Sequence, residues 1–190
     1  MAARSPKSRL LALVDEFAGI RVAVFGDLLV DEFIYGRISR VSREAPVLIL
    51  EYDSTEIVPG GAGNAANNVA ALGGIAIAIG VTGQDEAGRR LVETMRDRID
   101  VRNVVSHASL LTPTKTRILA GGVHSAKQQV VRVDRAARVA LPDVVRTAVA
   151  RRLIATLSRC DALLVSDYGT GLVTSSVVAS AQKKLRGPGR

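Results

Sequence analysis

The stretch VPGGAGNAANNVAALGG, Val58 to Gly74, sets a glycine turn against an unusual helix. Gly60, Gly61 and Gly63 crowd together, and the Ala-rich run after them reads as a helix over about Asn64 to Leu72, stopped by Gly73-Gly74. Inside it stand Asn64, Asn67 and Asn68, poor helix formers because their side chains compete for the backbone. Asn67 and Asn68 follow Asn64 by three and four residues, so the asparagines share a helix face. At a helix N-terminus that face, with the free backbone N–H groups, makes a polar cradle. A capping role accounts for Asn64 but not for the other two.

A rival reading exists. Gly61-Ala62-Gly63-Asn64-Ala65-Ala66 satisfies GxGxxA, and Asp85 follows about twenty residues on, the outline of a dinucleotide fingerprint. Pro59 sits immediately before the glycines, however, where the fingerprint wants a strand running straight into the turn. The preceding EYDSTEIV is polar and alternating rather than a buried central strand, and the fingerprint has no use for the asparagines.

Strands alternating with helices extend outward from this stretch. IRVAVFGD (Ile20–Asp27), IAIAIGV (Ile75–Val81), VRNVV and DALLVSDYG read as four buried parallel strands. Helices are expected over residues 7–18, Asp85–Ile99, Pro142–Leu157 and Thr174–Leu185. DEFIYGRI, PVLILEY and STEIVPG read as further strands, and TKTRILAG and KQQVVRVD as an antiparallel hairpin joined by GVHSA. The pattern predicts an α/β fold, a parallel sheet with flanking helices. The strands near 31–58 and 114–134 do not fit that sheet and are expected to form a smaller, one-sided one.

Composition narrows the function. With 47% hydrophobic and 23% charged residues the chain is globular, and with 3% aromatics and no Trp its core is aliphatic. The net charge of +8 is scattered, without a run of five consecutive cations, and few aromatics are available to stack on bases. No nucleic-acid partner is therefore expected, and small anions suit the charge better. A single Cys160, with His107 and His124 far apart, gives no reason to expect a disulfide or a bound structural metal. The apolar run LLALV near the N-terminus is too short for a leader, and no run approaches a membrane span, so a cytoplasmic setting is expected.

In parallel α/β sheets ligands bind at the carboxyl ends of the strands. Three polar groups fall there: Asp27 and Asp31 in GDLLVD, Asp167 and Tyr168 in SDYGTG, and the glycine turn with its asparagines. Two carboxylates four residues apart can act as acid and base or accept hydrogen bonds from a polyol. From spacing alone, the better reading is a turn residue at Asp27 and an exposed strand residue at Asp31.

Gly60-Gly61-Ala62-Gly63-Asn64-Ala65-Ala66, with Gly73 and Gly83 at their spacings, resembles the N-terminal signature of the ribokinase-like (PfkB) carbohydrate kinases. GDLLVDEFIYG, RVSREAPV, VTGQDEAG, TPTKTRIL, QQVVRVD and LLVSDYGTG follow in the order that family has. Within it the agreement is best with the kinase half of the bifunctional heptose kinases, which serve a route to lipopolysaccharide. The resemblance spans about Ile20 to Leu185. It implies one ribokinase-like domain over residues 1–190, with the 31–58 and 114–134 strands inserted as a β lid over the sugar. It also implies ATP-dependent phosphorylation, with Mg²⁺, of a sugar or sugar-phosphate hydroxyl, heptose 7-phosphate being the best single candidate. Asn64 matches the family's sugar-contacting asparagine, Asn68 a second asparagine of the heptose kinases, and Asp27 and Asp31 the sugar-binding carboxylates. Gly60 and Gly61 let the backbone approach the sugar. Lys115, Arg117, Gln128 and Arg132 on the lid are candidates for its phosphate, and Asp167, after the fourth core strand, is counted among the substrate-binding residues. Thr170 stands where heptose kinases tend to carry lysine. The family's Gly-Ala-Gly-Asp motif, with its catalytic base and most of the ATP site, is expected beyond Arg190. The C-terminal part of the fold is thus expected to be missing and the chain alone to be inactive. Pairing of two subunits through the lid is also implied. A non-catalytic sugar-binding or dimerisation fragment and a dinucleotide-binding domain are the alternative readings.

Overall fold

The computed structural model describes residues 6–121, 126–135 and 140–185. Two sheets share the chain. The first is parallel throughout, in the order β5-β4-β1-β8, built from β1 (Arg21–Gly26), β4 (Ile75–Gly83), β5 (Asp100–His107) and β8 (Ala162–Ser166). Helices α2 (Ala62–Ala71) and α3 (Glu86–Arg96) cover one face; α4 (Asp143–Leu157) and α5 (Ser175–Leu185) cover the other. A short α1 (Pro6–Asp15) precedes them. β1 and β4 are buried on both faces, which is why VAVFG and AIAIG are apolar without alternation. Ala23, Phe25 and Ile79 pack toward Val149 and Leu153 of α4, whereas Val24, Ala76 and Ala78 pack toward Ala62, Ala66, Leu91 and Met95.

The second sheet has the order β3-β2-β6-β7, from β2 (Leu28–Val41), β3 (Leu48–Gly61), β6 (Thr114–Gly121) and β7 (Gln128–Arg135). PVLILEY and STEIVPG are one continuous strand, β3, bent by register shifts against β2. β2 pairs β6 in parallel, so the lid is mixed rather than purely antiparallel. The GVHSA connection lies, for residues 122–125, outside the described residues.

Two expectations need correcting. β8 is not a buried strand: it forms one edge of the parallel sheet, and Val165 is 38% exposed. β7 is exposed along its whole length rather than on one face, because it is the lid's edge strand. The opposite edge of the core sheet, β5, is treated differently: the Arg152 guanidinium of α4 donates to the carbonyls of Val104 (2.9 Å) and Arg102 (3.4 Å). Such capping occupies acceptors that another strand would otherwise pair with.

Lid and core join within a few residues. Asp27 alone separates β1 from β2, and Gly61 ends β3 where α2 begins. At Gly61 the backbone is left-handed (φ 57°), and a Cβ there would lie 2.3 Å from the Asp27 carbonyl oxygen. Gly61→Ala is therefore expected to cost about 3 kcal/mol or more, combining left-handed strain with a backbone clash. Chemical denaturation of the variant beside the wild type measures this.

Candidate functional site

The carboxyl ends of β1 and β8 meet the root of the lid. Asp27 is 2% exposed, yet its charge is well supplied with donors. One carboxylate oxygen accepts from the Tyr168 N–H (2.7 Å) and the Thr170 N–H (3.2 Å); the other accepts the Thr170 hydroxyl. Its main chain is also taken: its N–H donates to the Ser166 carbonyl (3.0 Å) and its carbonyl accepts from the Ala62 N–H (2.9 Å). Behind it lies a cavity of ≈ 40 Å³ lined by Leu28, Val81, Thr82, Leu110 and Leu172 among others, room for a water or two but not for a sugar. On the other side the 167–171 turn faces the lid, where the Lys115 ammonium meets the Tyr168 ring.

Asp31 heads that side. Its carboxylate pairs with the Arg117 guanidinium at 2.5 Å across the β2–β6 ladder, both groups about a quarter exposed. A Cβ on Gly60 would come within 2.2 Å of Leu29 Cδ1 and 2.4 Å of the Asp31 carboxylate, so both side chains would have to shift to admit one. Arg117 also lies over the Phe33 ring, 5.2 Å from its centroid. Lys115 reaches across to the core, its ammonium 5.6 Å from the centroid of Tyr168. Asp31, Phe33, Lys115 and Arg117 thus share the lid face toward the core, as the pairings Asp31↔Lys115 and Phe33↔Arg117 require.

The remaining candidates divide. Asn64 and Asn68 are exposed, Asn67 is half-buried, and neither exposed side chain makes a hydrogen bond to another described residue. The cap of α2 is Gly61, not Asn64, which is the helix's third residue. Asp167 is exposed and accepts from the Gly169 N–H at 2.9 Å. Arg132 pairs in register with Arg117 but bonds Asp134 at 2.8 Å near the lid edge. Gln128 pairs with Ala120, so it lies on the opposite lid face from Arg117 and is not gathered with the others. Among the described residues no three His, Cys, Asp or Glu side chains cluster to hold a metal ion, and no helix is long and apolar enough to cross a membrane.

Sequence reasoning missed Thr112. Asp85 caps α3 through the Gly88 N–H (2.9 Å) and also accepts the Thr112 hydroxyl (2.6 Å) and N–H (2.9 Å), tying the root of β6 to the core. The Thr112 oxygen in turn accepts from the Gly83 N–H at 2.9 Å. The TG in VTGQDEAG and the TPT before β6 were the available signals, but only the fold pairs them. Asp85 is thus engaged as a helix cap, and the glycine turn is entered from a lid strand rather than a core strand. Both points remove the physical basis of the dinucleotide reading.

The chain belongs to the pfkB family of carbohydrate kinases, whose family model matches residues 21–167. It is similar to the bifunctional protein HldE of Gluconobacter oxydans, with 36% identity over 168 residues, 87% of this chain and 34% of that protein. The chain spans about a third of the length of the curated relatives it matches. Its fold is similar to the tetrameric inhibited form of phosphofructokinase-2 from Escherichia coli (TM-score 0.58, 20% identity, 87% of this chain and 52% of that one). It is also similar to Arabidopsis thaliana ribokinase complexed with ribose and ATP (TM-score 0.52, 13% identity, 88% and 50%).

Asp85 lends itself to a pH test. Burial pushes its carboxyl up, but the Thr112 and Gly88 donors outweigh this and leave it below the usual carboxylate value of 3.8. A depressed folded-state value means its stabilisation is complete above that usual value and fades as the pH falls through the lower one. Asp85→Ala is expected to cost about 2 kcal/mol at pH 7, from a lost cap and lost hydrogen bonds. The gap from wild type should narrow below pH 4 in urea titrations at several pH values.

Proposed function

We propose that this chain forms the sugar-binding part of a kinase that phosphorylates a hydroxyl of a sugar or sugar phosphate, with heptose 7-phosphate as substrate. The observation that carries the reading is the set of polar groups gathered where lid and core meet. A carboxylate (Asp31) held by Arg117 faces the Gly60 backbone, and α2, which begins where β3 ends, carries Asn64 and Asn68 with side-chain amides that bond no other described residue. Carboxylates and amides arranged this way accept and donate to adjacent hydroxyls. Lys115 and Arg117 add positive charge at the mouth, suited to a phosphorylated sugar, and the similarity to HldE favours a heptose. Asp167 lies on the adjoining turn and is assigned to the same pocket.

Within this reading the chain's own residues bind and orient the acceptor. Asn64, Asn68 and Asp31 fix its hydroxyls, Gly60 and Gly61 let the backbone approach, and Lys115 and Arg117 hold the anionic end. ATP with Mg²⁺ supplies the phosphoryl group in kinases of this class. The described residues offer no three-ligand acidic cluster for the metal, so we derive no step through it. Nor is a base assigned. Asp27 accepts three hydrogen bonds from the 168–170 turn and Asp31 is paired with a guanidinium, so both carboxylates already have protein partners.

Two subunits are proposed to pair through the lid's outer face. On the side away from Asp31, the strand pairings line up Ile34 with Ile118, Ile118 with Val131, Ile38 with Leu50 and Val41 with Leu48. Ile38, Val41, Leu48, Val131 and Val133 are each more than 40% exposed there. A contiguous apolar face of this kind marks an interaction surface.

Three outcomes are expected. Asn64→Ala costs about 1–3 kcal/mol of affinity for heptose 7-phosphate in calorimetry, and Asp31→Asn a similar amount. The chain alone shows no sugar-dependent ADP release in a coupled assay; turnover near ~1 s⁻¹ that co-purifies with the chain would refute this. Val133→Lys shifts the chain from dimer to monomer in sedimentation. An unchanged dimer would remove the lid from the interface.

A further inference from the structure

The geometry points to Asp27 as a positioning residue rather than a sugar ligand: its carboxylate clamps the Tyr168–Thr170 turn, and through that turn sets the place of Tyr168 and Asp167 against the lid. A carboxylate offers about four lone-pair positions. Three of them are taken by protein donors, and Asp27 is 2% exposed, so little remains to meet a hydroxyl. The turn, in contrast, has little to hold it. Gly169 and Gly171 have φ values of 81° and 83°, and around both the space where a Cβ would stand is open to 4 Å. Within the turn, Asp167 accepts from Gly169, and Arg146 ties the far end by donating to the Gly171 carbonyl at 2.9 Å. The near end, which carries Tyr168, hangs on Asp27. The Tyr168 ring is where the Lys115 ammonium rests, so the clamp also settles where a lid cation stands.

The same residue reaches the other wall of the cleft. Its carbonyl accepts the first N–H of α2, two residues before Asn64. One side chain and one peptide unit therefore fix the relative positions of α2, the turn and β2. Thr170 acts with it, because its hydroxyl is given to Asp27 rather than to a ligand.

This inference rests on the sugar-cleft reading only in its last step, and the experiment separates the two. Asp27→Asn puts an amide N–H₂ against N–H donors, and Thr170→Val removes only the hydroxyl. In ¹H–¹⁵N spectra of the ¹⁵N-labelled full chain, the Tyr168 amide proton, bonded to a carboxylate, lies downfield in the wild type. It is expected to move upfield in Asp27→Asn, with exchange at Tyr168 and Thr170 at least about tenfold faster; Asp31→Asn leaves both signals in place. Thr170→Val gives the same changes more weakly, and carries the test if Asp27→Asn does not fold. Affinity of the folded Thr170→Val chain for heptose 7-phosphate falls about tenfold, a loss that reduced stability alone would not produce. Turn amides unmoved in both variants overturn the clamp, and a loosened turn with unchanged affinity overturns the positioning role. Affinity lost in Asp27→Asn with Tyr168 and Thr170 unmoved makes Asp27 a direct ligand. Failure of the wild-type chain to bind the sugar removes the substrate reading, while the amide signature still decides the clamp.

Discussion

A carboxylate removed from water is costly unless donors replace its hydration, and Asp27 is the point where this chain meets that constraint. Its three donors come from Tyr168 and Thr170, more than 140 residues away in sequence. The bonds form only when β1 and β8 are in register, Gly26 opposite Ser166. Its carbonyl simultaneously fixes the start of α2, through a contact so close that Gly61 must lack a Cβ. The junction of sheet, helix, turn and lid is therefore specified by charge satisfaction as much as by apolar packing.

Around that junction the lid divides its labour by strand alternation. One face carries Asp31, Lys115 and Arg117 toward the core; the other carries Ile34, Ile118, Val131 and Val133 away from it. A one-residue slip of β6 against β2 would exchange the two sets. Asp31 paired to Arg117 and Thr116 bonded to Glu32, one contact on each face, resist such a slip from both sides.

Much of the core was legible in sequence because its signals are local. The unbroken apolar runs of β1 and β4 announce strands buried on both faces, and the glycines after Pro59 announce the turn into α2. The two-sheet division was legible too, from alternating strands that suit no parallel core. What could not be read depends on distant pairing. The exposure of β8 follows from its place at a sheet edge, and the parallel β2–β6 ladder from a crossover through the core, neither written in a local period. Gln128 and Arg132 look alike as lid residues, but the register shift between Ile118 and Leu119 puts them on opposite faces. Asp27 and Asp31 look like a matched pair by spacing, yet one is enclosed by a turn and the other is paired to Arg117 on the lid.

The joints between lid and core give the second sheet a mechanical character. Leu28, Leu29 and Val30 are buried, so β2 is anchored at its root, and the arm from Asp31 to Val41 runs outward from half-buried to exposed residues. At roughly 3.3 Å per residue that arm is about 33 Å long. A rotation of about 5° at the Asp27 and Gly61 joints would sweep its tip through about 3 Å while moving Asp31, next to the pivot, by a fraction of an ångström. The sheet is thus a lever with its chemistry at the fulcrum. Contacts made at its far end, by whatever rests on Ile38 and Val41, gain leverage over the cleft, whereas a ligand in the cleft works against that arm at a disadvantage.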